Sequence, residues 1–111
     1  MDGYYENIDT QVLKNKQRHV EVYSDKNMSL VFVCLKPKEE IGMEIHDHET
    51  QFTKVVKGVG LAIVGEKTQV LNNGMVTVIP VGSKHNIINV SDTEPLKMYT
   101  IYSGRKTIQF E

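Results

Sequence analysis

With 111 residues the chain holds enough material for one domain and not two, since domains run roughly 100–150 residues. Hydrophobic residues make up 40% and charged residues 24%, which is the balance of a soluble globular chain rather than a disordered or fibrous one. Thirteen basic residues stand against 14 acidic ones for a net charge of −1, and the lysines are scattered, so no basic face for nucleic acid is expected. No apolar run approaches the ~20 residues that span a bilayer, so no membrane partner is expected. The start, Met1 to Glu6, is polar and acidic, unlike a signal peptide. Cys34 has no internal partner and sits in the apolar run Leu30 to Leu35, where a small buried thiol packs well. A reducing, cytoplasmic setting fits both features.

Along the chain, short β-rich runs alternate with turn signals, the pattern of a sandwich or barrel. In the first sixteen residues, Asp9 or Thr10 is placed to cap a helical turn ahead of Val12 and Leu13. Strands are predicted over Val20–Tyr23, Met28–Lys36, Ile41–His48 and Gln51–Lys57. Leu61–Val64 and Lys67–Leu71 flank Gly65-Glu66, a hairpin turn. Asn72-Asn73-Gly74 is the strongest turn, because Asn and Gly tolerate positive φ. Met75–Ile79 follows, then a break at Pro80-Val81-Gly82, then His85–Val90 and Leu96–Tyr102. A short strand at Thr107–Phe110 closes the reading, which divides into an N-terminal arm (1–27), a barrel (28–103) and a tail (104–111). About nine strands and hardly any helix predict an all-β barrel or jelly roll, whose closure removes exposed edges.

Three of the four histidines draw attention. His46 and His48 are two apart in a predicted strand, so both imidazoles can share a face. His85 opens another strand. Parity alone puts Gln51 opposite to His48, but a turn at Glu49-Thr50 resets it, so convergence is allowed and not forced. The group His46, His48, Gln51 and His85 offers imidazole nitrogens and one amide oxygen to a divalent ion such as Zn, Fe, Mn or Ni. A metal-free acid–base pair is the other reading of His46 and His48, because imidazole titrates near neutrality. His19 follows Arg18 in a polar stretch and is placed at the surface.

Gly74, Pro80, Gly82, His85 and Asn89 match the second cupin motif, G-x5-P-x-G-x2-H-x3-N, at every defined position. Gly42, His46, His48, Gln51 and Gly58 resemble the first, G-x5-H-x-H-x3,4-E-x6-G, with three departures: Gly42 is too near His46, His48 is too near Gln51, and Gln51 replaces Glu. The resemblance covers residues 28–103 and implies an RmlC-like jelly-roll barrel of roughly six to eight strands with the ligand cluster inside. The chain is also similar to small stand-alone cupins called mannose-6-phosphate isomerase-like, at Ile41-Gly42, Gln51-Phe52 and Pro95 to Ser103. Asn89 reads as a structural hydrogen-bonding residue rather than a ligand.

Three functions follow as expectations. A metal-dependent isomerase of a small sugar or sugar phosphate is favoured; the metal would polarise a carbonyl, with Tyr102 or Tyr99 as the proton-moving group. Glu44 shares parity with His46, Glu49 lies in the turn, and Lys54 and Lys84 are merely available to a phosphate. The alternatives are a non-haem iron dioxygenase and a non-catalytic module that holds a metal or small ligand. A homodimer is expected as well. Leu96, Met98, Thr100 and Tyr102 can line the barrel, which leaves Tyr99 and Ile101 outside and in need of cover. The N-terminal segment, with Tyr4, Tyr5 and Ile8, is the other candidate for that cover.

Overall fold

The computed structural model describes residues 2–104. In them a short helix, α1 (Ile8–Lys14), precedes eight strands: β1 (His19–Ser24), β2 (Met28–Leu35), β3 (Thr50–Lys57), β4 (Gly60–Val64), β5 (Lys67–Leu71), β6 (Val76–Ile79), β7 (His85–Asn89) and β8 (Leu96–Ser103). They form a five-stranded sheet in the order β1-β2-β8-β3-β6 and a three-stranded sheet in the order β5-β4-β7. Every pairing is antiparallel. One core joins the two sheets: Val31, Val55 and Leu96 from the first meet Ala62, Leu71 and Ile87 from the second. The all-β jelly roll expected from the alternation of runs and turns is the fold observed. The strand expected at Thr107–Phe110 lies outside the described residues.

The pattern of β2 explains the layers. Its seven residues from Ser29 to Leu35 are all buried, as a strand covered on both faces must be. Val31, Val33 and Leu35 point to the barrel core. Leu30 and Phe32 point the other way, into a second cluster where Val12, Ile8 and Tyr4 pack over Tyr99 and Ile101. The N-terminal segment therefore supplies the cover that the dimer expectation asked of a second copy. Cys34 is buried and free, as expected. The helix cap differs from the expected one: Asn7, not Asp9 or Thr10, stands at the N-cap, and its side chain accepts from the Thr10 amide.

The segment Ile41–His48 is not a strand. It makes one isolated bridge, Glu44 to His85, and a second, Glu40 to Ile88, lies just before it. Between them Gly42 adopts φ +102°, and its amide donates to Asn86 Oδ1 at 2.8 Å instead of to a ladder. Further on the chain bends at Asp47 and His48, so the two-residue period on which the shared face of His46 and His48 depended does not hold there. At the other end of the barrel Gly58 is required by space: a Cβ there would meet the Pro95 carbonyl at 2.7 Å.

Candidate metal centre

His85 is the most firmly held of the donors. It opens β7, is 1% exposed, and its Nδ1 donates to the Ser83 carbonyl at 2.9 Å. A carbonyl can only accept, so the proton is on Nδ1 and the Nε2 lone pair is free. The backbone of His85 exchanges both hydrogen bonds with Glu44, at 2.8 and 2.9 Å. This bridge brings the Glu44 carboxylate to 3.8 Å from His85 Nε2.

His46 lies two residues further on. Its carbonyl accepts from the Gly82 amide at 2.9 Å, and Gly82 reaches that position with φ +82°, open to glycine at no steric cost. Its Nε2 is 3.5 Å from Glu44 Oε1 and its Nδ1 is 3.4 Å from Glu49 Oε1. The ring stands 5.1 Å from that of His85 and 5.3 Å from that of Tyr102, centre to centre. One donor atom each from Glu44, His46 and His85 falls within 4.8 Å of the others, a group that could hold a metal ion.

Gln51, 5% exposed, is near the start of β3 and opposite Tyr102 in the ladder. Its Nε2 donates to Thr53 Oγ1 at 3.1 Å, and Thr53 shares a hydrogen bond of 2.8 Å with Thr100. With the nitrogen so engaged, Oε1 is the free end of the amide. Asn86 steadies the opposite wall: it accepts from Gly42 and donates to Glu40 Oε1 at 2.9 Å, tying the Glu44 segment to β7.

The chemistry of these atoms fits a cation. His46 Nε2, Gln51 Oε1 and His85 Nε2 are buried and make no hydrogen bond. Leaving such an atom unpaired costs about 1–3 kcal/mol, and all three have lone pairs that a metal would engage. Two imidazoles, a carboxylate and an amide oxygen suit a divalent first-row ion without choosing among Zn, Fe, Mn and Ni. Glu44, Gln51, His85, Thr100 and Tyr102 line one small cavity of about 70 Å³. A larger hollow of about 490 Å³ around Lys57, Asn73 and Glu94 is open and has no imidazole in its walls.

The residues singled out from the sequence divide. His46, Gln51 and His85 contribute buried polar atoms to this region, whereas His48 is exposed in a bend and outside the three-residue group. Tyr102 lines the cavity; Tyr99 faces the outer cluster. Lys54 is 3.8 Å from Asp9 of α1, and Lys84 is exposed. Asn89 has the structural role expected, its amide donating to the carbonyls of Leu35, Lys36 and Glu94. Glu44 and Glu49 were not among the expected ligands; His19, expected at the surface, is exposed there and also borders the cavity. A signal for Glu44 existed. Lys38, Glu44, His46, Gln51 and Gly58 are separated by five, one, four and six residues, the full spacing of the first motif two residues upstream of the reading that paired His46 with His48. Lys38 occupies the leading glycine position with φ +67°.

Fold and site define a class first: a jelly-roll barrel with a group of potential metal ligands inside it. The chain belongs to the cupin family, matching the Cupin domain over residues 31–102. It is similar to uncharacterized protein L612 of Acanthamoeba polyphaga mimivirus, 41% identical over 103 residues that cover 90% of this chain and 64% of that one. It is also similar to uncharacterized protein YrkC of Bacillus subtilis, 31% identical over 87% of this chain and 55% of the other. The chain thus spans less than two thirds of these curated relatives. The crystal structure of BH2720 from Bacillus halodurans superposes with a TM-score of 0.88 at 27% identity, covering 93% of this chain and 82% of that one. No helix among the described residues is long and apolar enough to cross a membrane.

Proposed function

We propose that the protein is a metal-dependent isomerase of a small hydroxy-carbonyl compound, its ion held by Glu44, His46 and His85 with Gln51 as a further donor. The observation that carries the reading is the set of buried, unpartnered donor atoms on His46, Gln51 and His85. A bound divalent ion supplies Lewis acidity toward a carbonyl oxygen. The chain's own residues supply placement. Ser83 and Glu49 orient the two imidazoles, and Thr53 turns the Gln51 oxygen toward the site. Tyr102 lines the cavity beside His46 and is the phenol in position to move a proton. A sugar-phosphate substrate is the choice suggested by one further relative, mannose-1-phosphate guanylyltransferase RfbM of Salmonella typhimurium. That protein is 31% identical over 73% of this chain, which spans 17% of its length.

A second reading, an iron enzyme that uses dioxygen, is favoured by one feature: two histidines and one carboxylate are a donor set that suits Fe(II) with open positions. Proton NMR in D2O separates the two. An isomerase incorporates solvent deuterium at the carbon next to the carbonyl of its substrate and consumes no oxygen. Oxygen uptake by the iron-loaded protein, without deuterium exchange, supports the second reading. Metal bound with neither activity leaves a binding module.

A further inference from the structure

We infer that Thr100 is a positioning residue of this site: acting through Thr53, its hydroxyl decides which end of the Gln51 amide faces a bound ion. The inference rests on the metal-binding reading and deepens it. Gln51 and Thr53 are two apart on β3 and share its buried, inward face. In the ladder Gln51 stands opposite Tyr102, Thr53 opposite Thr100 and Val55 opposite Met98. Val55 and Met98 belong to the barrel core, so the hydroxyl pair is the step between that apolar core and the donor cluster. Thr53 is 0% exposed and Thr100 3%. Burying a hydroxyl is costly unless it is hydrogen-bonded, and valine would fill much the same space without that cost. The hydrogen bonds of these two hydroxyls lead to one place: Thr100 and Thr53 share one of 2.8 Å, and Thr53 Oγ1 meets Gln51 Nε2 at 3.1 Å.

The direction of the chain follows from the donors. An amide nitrogen only donates, so Thr53 Oγ1 accepts from Gln51. The Thr53 proton then has the Thr100 oxygen as its acceptor, in a position closed to water. Thr100 borders the cavity, which leaves its own proton to that side. With the Thr53 proton engaged in this way, the amide turns Nε2 toward Thr53 and Oε1 away from it, and Oε1 is one of the buried atoms that make no hydrogen bond. The reverse direction has the reverse result. A Thr53 proton released by Thr100 would donate to Oε1, and the amide would turn its N–H groups into the site. Those protons repel a cation and offer it no lone pair. A glutamate has two equivalent oxygens and needs no such control, so the threonine pair matters because residue 51 is an amide.

Zinc is the probe, and competition against a chromogenic chelator measures its affinity for the full chain. The expected result is zinc affinity about tenfold weaker in Thr100→Val than in wild type, with most of it recovered in Thr100→Ser, which keeps the hydroxyl. In a Gln51→Glu background Thr100→Val should cause no loss, because the two carboxylate oxygens are alike. Nuclear Overhauser contacts in isotope-labelled, zinc-loaded wild type give a check that needs no variant. The Gln51 side-chain NH2 should contact Thr53 and not the imidazole protons of His46 and His85. Equal zinc affinity in Thr100→Val and wild type overturns the inference, and so do NH2 contacts with those imidazoles. An equal loss in both backgrounds also overturns it, since it marks a packing effect of Thr100. A Gln51→Ala variant that holds zinc as tightly as wild type overturns this inference and leaves the Glu44, His46 and His85 group intact. Wild-type protein that takes up no zinc overturns the metal reading and this inference with it.

Discussion

Nδ1 of His46 lies 3.4 Å from the carboxylate of Glu49, on the side of the ring away from the Nε2 that approaches Glu44. A carboxylate there favours the tautomer with the proton on Nδ1 and makes Nε2 a better donor. Glu49→Gln should weaken metal affinity by about 10- to 100-fold with little change in thermal stability of the metal-free protein. Competition against a chromogenic chelator measures the first and a melting curve the second. Unchanged affinity would remove Glu49 from the site.

Gln51→Glu should tighten metal binding, since a carboxylate adds charge where a buried amide oxygen now lacks a partner. The same change should destabilise the metal-free protein in a pH-dependent way. Burial raises the pKa of a carboxyl group above its unfolded value. A raised folded pKa means that stability is present below the unfolded pKa and is lost as pH rises through the folded one. Denaturant titrations at pH values on either side of the ordinary Glu range, about 4.3, should therefore show the metal-free variant losing more relative to wild type at the higher pH. Equal or weaker metal affinity in the variant would show that Gln51 is not a ligand.

Asn89→Asp should cost about 3 kcal/mol or more of stability and leave metal affinity unchanged. Asn89 is 0% exposed, and its Nδ2 faces the carbonyls of Leu35, Lys36 and Glu94 at 3.1, 3.1 and 2.8 Å. An aspartate would turn a carboxylate oxygen toward those three acceptors. The position is at the opposite end of β7 from His85, so the donor cluster should not sense the change. A urea titration with parallel metal titration checks both halves.

Much of this arrangement can be read from local signals. The two-faced apolar run of β2, the alternation of Leu96, Met98, Thr100 and Tyr102, and the spacing of Gly74, Pro80, Gly82 and His85 all describe short-range geometry that the fold retains. What escapes is non-local. The Ile41–His48 run has strand-like composition, but at Gly42 the side chain of Asn86, 44 positions away, takes the backbone amide out of any ladder. The chain then bends at Asp47 and His48, so parity counted from His46 describes Glu44 and not His48. The cover over Tyr99 and Ile101 escapes for the same reason. Tyr4, Ile8 and Val12 are far from them in sequence, and an apolar outer face does not say which chain will cover it.

The central claim is that the metal-binding pair on this segment is Glu44 with His46, not His46 with His48. The direct measurement is metal content of Glu44→Ala and His48→Ala, each reconstituted with excess metal, desalted and analysed by inductively coupled plasma mass spectrometry beside wild type. His48 is exposed, and Glu44 lies 3.8 Å from His85 Nε2. The account predicts that His48→Ala retains one equivalent, as wild type does, and that Glu44→Ala loses most of it. Loss of metal in His48→Ala, with full retention in Glu44→Ala, would contradict it.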